Sequence, residues 1–221
     1  YKKKYQHRMD KTILRKIKQG ETYEDFQKYM IGNPDTSVVE MDTAINDGDC
    51  KKVLLTLHFV RYHFQLAYIR PNKESDTITT TISSLCASIG IEYYKRLFEV
   101  ILTDNGTEFS DPKAIEIEPE TAELRTKVFF CHPYRSGKKG HCEKKHEYIR
   151  YILSKGTVFD FLTQDKCDLM MSHVNSTKRS SINVTTYDFM TLTYGTDVLD
   201  LLKIKKIDSN MVSLLPTLLT K

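Results

Sequence analysis

Three acidic residues stand where their neighbours do not by themselves call for an acid. Asp42 falls inside the apolar run VVEMDTAI (38–45), Asp104 follows EVILT (99–103) and opens DNGTEF, and Glu143 lies in HCEKKHEY (141–148), where helical periodicity begins. In an alternating strand Val39, Met41 and Thr43 share one face, and Val38, Glu40, Asp42 and Ala44 share the other. A carboxylate on a covered strand is costly unless it is paired or holds a cation. Where a three-strand meander is followed by parallel strands, the fourth strand lies beside the first, so Asp42 and Asp104 come to neighbouring positions. A divalent cation between them offsets their repulsion, and hard oxygen ligands suit Mg²⁺, with Mn²⁺ expected to substitute. At about 100° per residue, Glu143 shares a polar stripe with His146, Glu147 and Arg150, opposite Ile152. Such a triad, spaced by 62 and 39 residues, can hold two metal ions on one phosphodiester, one at the attacking and one at the leaving oxygen. Plainer roles stay open. Asp42 could pair with a lysine, Asp104 could be a turn residue, and Glu143 could complement a helix dipole. Glu40, Glu108 and Glu147 compete for the third position, with Cys142 and His146 flanking it.

The elements that must carry these acids follow from periodicity. A short amphipathic helix over 11–18 and a second over 23–30 are separated by Gly20 and closed by GNP at 32–34. Strand-like runs follow at 37–45, 52–60 and 64–70, joined first by NDGD (46–49) and then by Arg61, Tyr62 and His63, which makes an antiparallel meander. A helix over 76–88, a break at Gly90, a short helix through Phe98, a strand at 99–103 and a strand at 127–131 come next. Helices over 141–153 and from 163 to about 175 complete the pattern. The order predicts a mixed α/β sheet of the ribonuclease-H type, three antiparallel strands plus two parallel ones, flanked by helices. STKRSSIN (176–183) and the leucine-rich stretches 198–202 and 212–219 read as a loop and an extension that packs on the core or serves as an assembly surface.

The 221 residues are 40% hydrophobic and 28% charged, which suits one well-buried domain with appendages. No apolar run approaches the roughly 20 residues of a membrane helix, and no apolar secretory segment follows the basic start, so the expectation is a protein of the cytoplasm. Residues 1–18 hold eight basic side chains against Asp10 alone, a local balance of +7, so the rest of a chain with net charge +4 sums to −3. A basic arm on a mildly acidic body is a polyanion contact or a solvated face. Between residues 134 and 155, Arg135, Lys138, Lys139, Lys144, Lys145, Arg150 and Lys155 set seven bases against Glu143 and Glu147. That rim is expected to hold a DNA backbone near the acids. Five cysteines without regular spacing read as reduced thiols. A zinc module on Cys131, His132, His141, Cys142 and His146 is the unrelated alternative, although no CxxC pair occurs.

The blocks VVEMDTAI, LTDNGTEFSDP and HPYRSGKKGHCEKKHEYIRYILSKGTVFD, in this order and spacing, resemble the catalytic blocks of bacterial insertion-sequence-thirty family transposases, whose cores belong to the DDE integrase superfamily. The likeness extends upstream through GETYEDFQKYM and NPDTSVVEMD and downstream through LTQDKCDLMMSHVNSTKRSSIN, over most of residues 20–185. It implies Asp42, Asp104 and Glu143 as a metal-binding catalytic triad. The surroundings of Glu143 depart from the family pattern, with His141 and Cys142 before it and Lys144 and Lys145 after it, and 154–156 reads SKG where PKG is usual.

The resemblance further implies a helix-turn-helix region ahead of the core, absent here. Residues 1–33 then form a basic helical connector, 34–176 the integrase core and 177–221 a C-terminal extension. The implied activity is cleavage at the ends of an insertion sequence followed by strand transfer. Double-stranded DNA is the partner, the protein works as a homo-oligomer on DNA, and its location is the bacterial cytoplasm, at the nucleoid when bound. The rivals are a ribonuclease-H-like nuclease that only hydrolyses and a non-catalytic, transposase-derived DNA-binding module.

Overall fold

Val53–Phe59 (β2) is buried at all seven positions, which a strand achieves only when both faces of its sheet are covered. The computed structural model describes residues 20–45, 50–131, 146–179 and 182–220. It places β2 second in a five-stranded sheet of order β3-β2-β1-β4-β5. The remaining strands are β1 (Val38–Ile45), β3 (Phe64–Arg70), β4 (Val100–Thr103) and β5 (Lys127–Phe130). β1, β2 and β3 pair antiparallel, while β4 joins β1, and β5 joins β4, in parallel. This is the mixed sheet that the sequence predicts. β3 coincides with the expected run, and the other strands end within two residues of theirs.

Helix α1 (Tyr23–Gly32) starts at a capping box in which Thr22 and Asp25 satisfy each other's backbone N–H groups. Tyr23, Phe26 and Tyr29 pack on a small cluster of Val100, Leu102 and Phe129. α2 (Ser75–Ile89) and α3 (Ile91–Leu97) carry the chain from β3 to β4, a crossover long enough to return the chain parallel. The link read as polar and irregular contains a 3₁₀ turn (Thr107–Phe109) and α4 (Pro112–Glu116) before β5. α5 (Glu147–Ile152) is the described part of the helix expected over 141–153, and α6 (Gln164–Ser176) follows. The expected helix over 11–18 and the NDGD turn lie outside the described residues.

Both lateral edges of the sheet are closed by neighbouring groups. Along β3, the fully buried Asn175 of α6 accepts the Gln65 N–H (2.9 Å) and donates to the Gln65 carbonyl (2.7 Å). One end of the same helix supplies Gln164, which accepts the Ile69 N–H (3.1 Å) and donates to the Ala67 carbonyl (3.0 Å). Two carboxamides on one helix thus stand in for a sixth strand. Along β5, the Val128 N–H donates to Glu116 Oε1 (2.9 Å) and the Phe130 N–H to the Glu21 carbonyl (2.8 Å).

Beyond α6 the sequence reading expects a loop and an extension. The structure has two further helices, α7 (Thr186–Tyr194) and α8 (Thr196–Leu201), and Val198, Leu199, Leu202, Ile204 and Leu219 belong to the main hydrophobic core. The final segment lies along α6. Lys205 and Ile207 donate backbone N–H groups to the Ser172 and Ser176 hydroxyls, and the Ser213 N–H donates to His173 Nδ1 at 3.0 Å.

Candidate active site

The parallel register of β1 and β4 runs Val38 to Val100, Val39 to Ile101, Glu40 to Leu102 and Met41 to Thr103. One further step brings Asp42 level with Asp104 on adjacent strands, where backbones lie about 4.8 Å apart. Alternation puts Val39 and Met41 into the main core and Val38, with Val100 and Leu102, into the cluster under α1. Asp42 and Asp104 therefore share the opposite face, past the apolar patch. Both are half-buried.

Local bonds fix each acid. The buried Thr103 hydroxyl donates to the Met41 carbonyl at 3.2 Å, tying the end of β4 to β1 one residue before the acids. Asp104 Oδ1 accepts the Gly106 N–H (2.8 Å), an Asx turn that folds the carboxylate back on its own loop. Asn105 donates to the Cys131 carbonyl (2.5 Å), fastening that loop to the end of β5. Asp42 Oδ1 accepts the Thr43 N–H (2.9 Å).

Thr56, directly opposite Asp42 on β2, donates its hydroxyl to the Asp42 carbonyl (3.2 Å) and lies 3.0 Å from His146 Nε2. A hydroxyl has one proton, so with Thr56 donating to Asp42 the His146 Nε2–H is the donor of the second bond. His146 is the N-cap residue of α5. The start of that helix is thereby held against the strand pair that carries Asp42.

Behind Asp104 lies a charged layer that the sequence reading does not identify. Glu108 is 4% exposed, its Oε1 sits 3.3 Å from Lys73 Nζ, and its Oε2 has no hydrogen-bond partner among the described residues. Space at Gly106 is tight. A Cβ at that position would run into Glu108 Oε2, with Glu108 Cδ at 2.7 Å and Asp104 Oδ1 at 3.0 Å. Arg70, at the end of β3 and 1% exposed, donates to Thr77 Oγ1 from Nε (3.0 Å) and from Nη2 (2.8 Å), and to the Glu74 carbonyl (2.8 Å). Its Nη1 reaches Thr43 Oγ1 at 3.5 Å. Burial pushes the Arg70 guanidinium down to about 10, with the nearby Glu108 carboxylate opposing that shift. The only hint in the sequence is an acid four residues after Asp104, and Arg70 reads as an ordinary strand-end charge.

Glu143, Arg135, Lys138, Lys139, Lys144 and Lys145 lie outside the described residues, while Arg150 and Lys155 are exposed. Among the described residues no three His, Cys, Asp or Glu side chains form a group able to hold a metal. Asp42 and Asp104 are two acids of the expected three. The described cysteines, Cys50, Cys86, Cys131 and Cys167, are free thiols, and no described helix is long and apolar enough to cross a membrane.

This five-stranded mixed sheet is matched in fold by a solved integrase core. The chain has the fold of the catalytic core domain of BIV integrase, with a TM-score of 0.51 at 17% identity, over 73% of this chain and 98% of that one. In sequence it is 29% identical over 92 residues to the transposase for insertion sequence element IS4351 from Bacteroides fragilis, a match spanning 42% of this chain and 27% of that protein. No protein-family model matches the sequence. The chain thus has the fold of an integrase catalytic core and, over part of its length, is similar in sequence to a transposase.

Proposed function

We propose that the chain is the catalytic domain of an insertion-sequence transposase that cuts and joins DNA strands. One observation carries the reading above others: Asp42 and Asp104 stand at the same level and on the same face of adjacent parallel strands. Placing two acids there costs stability unless a cation is shared between them. The donor set fits a hard divalent cation, being all carboxylate oxygen. Asp42, Asp104 and Glu143 would hold Mg²⁺, or Mn²⁺ in its place. Bound there, a pair of such ions supplies charge stabilisation at both oxygens of an in-line phosphoryl transfer.

The protein's own groups orient the exchange. A water oxygen forms a bond to phosphorus at the end of the element, the bond from phosphorus to the 3′ oxygen breaks, and that oxygen leaves as a 3′-hydroxyl. The hydroxyl oxygen then attacks a target phosphorus, and the target's own 3′ oxygen departs, taking up the proton. Each step breaks one P–O bond as another forms, the first leaving a 5′-phosphate monoester and the second a new phosphodiester, and no covalent protein intermediate is required. Arg150 and Lys155, with Arg135, Lys138, Lys139, Lys144 and Lys145, would grip backbone phosphates of double-stranded DNA. Bridging two element ends calls for a homo-oligomer.

The test is Mg²⁺- or Mn²⁺-dependent nicking of a labelled duplex, with strand transfer from a precut donor as its second arm. We expect wild-type nicking and joining, both lost in Asp42→Asn and Glu143→Gln. Nicking without joining would favour a nuclease that only hydrolyses, and nicking that survives both substitutions would overturn the site.

A further inference from the structure

We propose that Glu108, with Arg70 and Lys73 as its counter-ions, sets the cation affinity of the Asp42 and Asp104 end of the sheet, acting as a positioning and tuning residue behind the carboxylates that hold the ion. The inference rests on the proposed function and deepens it.

Glu108 is placed unlike an ordinary buried ion-pair partner. Its side chain is 3% exposed, yet Oε2 accepts no hydrogen bond among the described residues, an arrangement that costs stability. Arg70 feels the Glu108 carboxylate through its charge but turns Nε and Nη2 onto Thr77 and the Glu74 carbonyl. Lys73 engages the other oxygen, Oε1. The unspent oxygen converges with Asp104 Oδ1 on the one point where residue 106 lacks a side chain. A negative charge is therefore kept in a poorly solvated place beside an acid proposed to hold a divalent cation.

Alternation places Thr43, which Arg70 Nη1 approaches, on the face opposite Asp42. Arg70 thus reaches the far side of β1 from Asp42, while Glu108, paired with Lys73, approaches Asp104 across Gly106. From there they act on an ion through the field, without touching it. A glutamine would fill the same space and keep an acceptor for Lys73, so shape alone does not demand an acid. The charge is the feature left to explain.

A field effect has a sign that a purely structural role lacks. Removing the acid must weaken cation binding, whereas removing its exposed counter-ion must strengthen it. Mn²⁺ binding to the 221-residue chain, followed by water-proton relaxation, reads this without any catalytic turnover. We expect Glu108→Gln to raise the Mn²⁺ dissociation constant by roughly threefold to tenfold and Lys73→Gln to lower it by roughly twofold, less because Lys73 is half exposed to screening solvent. Added salt should shrink the Lys73→Gln effect first.

If Glu108→Gln fails to fold, Lys73→Gln alone decides, because its side chain is accessible and its loss leaves the core intact. Weaker or unchanged Mn²⁺ binding in Lys73→Gln overturns the inference. Wild-type binding that Asp42→Asn does not reduce would sink the proposed function and this inference together. Binding that depends on Asp42 but ignores residues 73 and 108 would sink the inference alone.

Discussion

The lateral edges of the sheet and its C-terminal end treat polar groups in opposite ways. At the edges, β3 is closed by Asn175 and Gln164, and β5 by Glu116 and the Glu21 carbonyl. Where β4 ends beside β1, two half-buried aspartates stand level, and a buried glutamate near Asp104 leaves one oxygen without a hydrogen-bond partner among the described residues. The edges use polar side chains to satisfy backbone groups and so stabilise the sheet. The end concentrates like charge where an apolar or neutral residue would be more stable, which is the mark of a region selected for something other than stability. Substitutions should therefore separate: those at the edges unfold, and those at the end disarm.

The largest effect is expected at the end. Asp104→Asn should lower duplex nicking by at least about 100-fold, the scale of losing one group that stabilises transition-state charge. Its thermal midpoint should stay within a few degrees of wild type or rise. An Asp104→Asn protein that unfolds would break the distinction.

Asn175→Ala comes next, at the β3 edge. It strands a buried N–H and carbonyl of Gln65 at once and should cost roughly 2–4 kcal/mol in urea unfolding. Mn²⁺ affinity of the folded fraction should not change. Gln164→Ala, at the more exposed end of the same helix, should cost about 1 kcal/mol.

Gly106→Ala tests the border between the two regions. Its Cβ would meet Glu108 and Asp104, so it should cost roughly 1–3 kcal/mol as overpacking does and also reduce nicking, the one substitution expected to fail on both counts.

The smallest effect concerns the final segment. Burial lowers the affinity of His173 for a proton below that of an ordinary histidine, whose pKa is 6.5. Its Nδ1 also accepts the Ser213 N–H, which a protonated ring cannot do. The unfolded chain thus takes up the proton first as pH falls. The contribution of His173 is whole above about pH 6.5 and is lost as pH drops through the lowered folded value. Chemical denaturation at pH 7.5 and 5.5 should show a loss in the wild type that is smaller in His173→Gln. An equal loss in both would assign the pH dependence elsewhere.

How far the sequence discloses this molecule depends on the range of the forces involved. β3 is legible to the residue because Phe64–Arg70 lies between a tight turn and the PNK of 71–73, and Asp42 is legible because an acid interrupts a run of apolar residues. The level placement of Asp42 and Asp104 follows from topology and was also within reach.

Helix α7 was not. TYDFMTLTY is rich in β-branched and aromatic residues that favour strands, and it is helical because Thr185 caps it with help from Asp188 and because Thr186, Tyr187 and Met190 are buried. The charged layer was hidden for a similar reason. Arg70, Lys73 and Glu108 meet only through the crossover between β3 and β4, and nothing in the local pattern of any one of them signals the others. The contact of His146 with Thr56 spans 90 residues and is likewise invisible to periodicity.

Asp42, Asp104 and Glu143 are proposed to gather around shared cations. That gathering is tested most directly by loading the protein with Fe²⁺ in place of Mg²⁺ and generating hydroxyl radicals at the bound ion with ascorbate and peroxide. Backbone scission is then mapped by mass spectrometry. The account predicts cuts clustered beside residues 42, 104 and 143, suppressed together by excess Mg²⁺ and by Asp42→Asn. Cuts beside 42 and 104 that never include the neighbourhood of 143, or cuts that Asp42→Asn leaves unchanged, would contradict it.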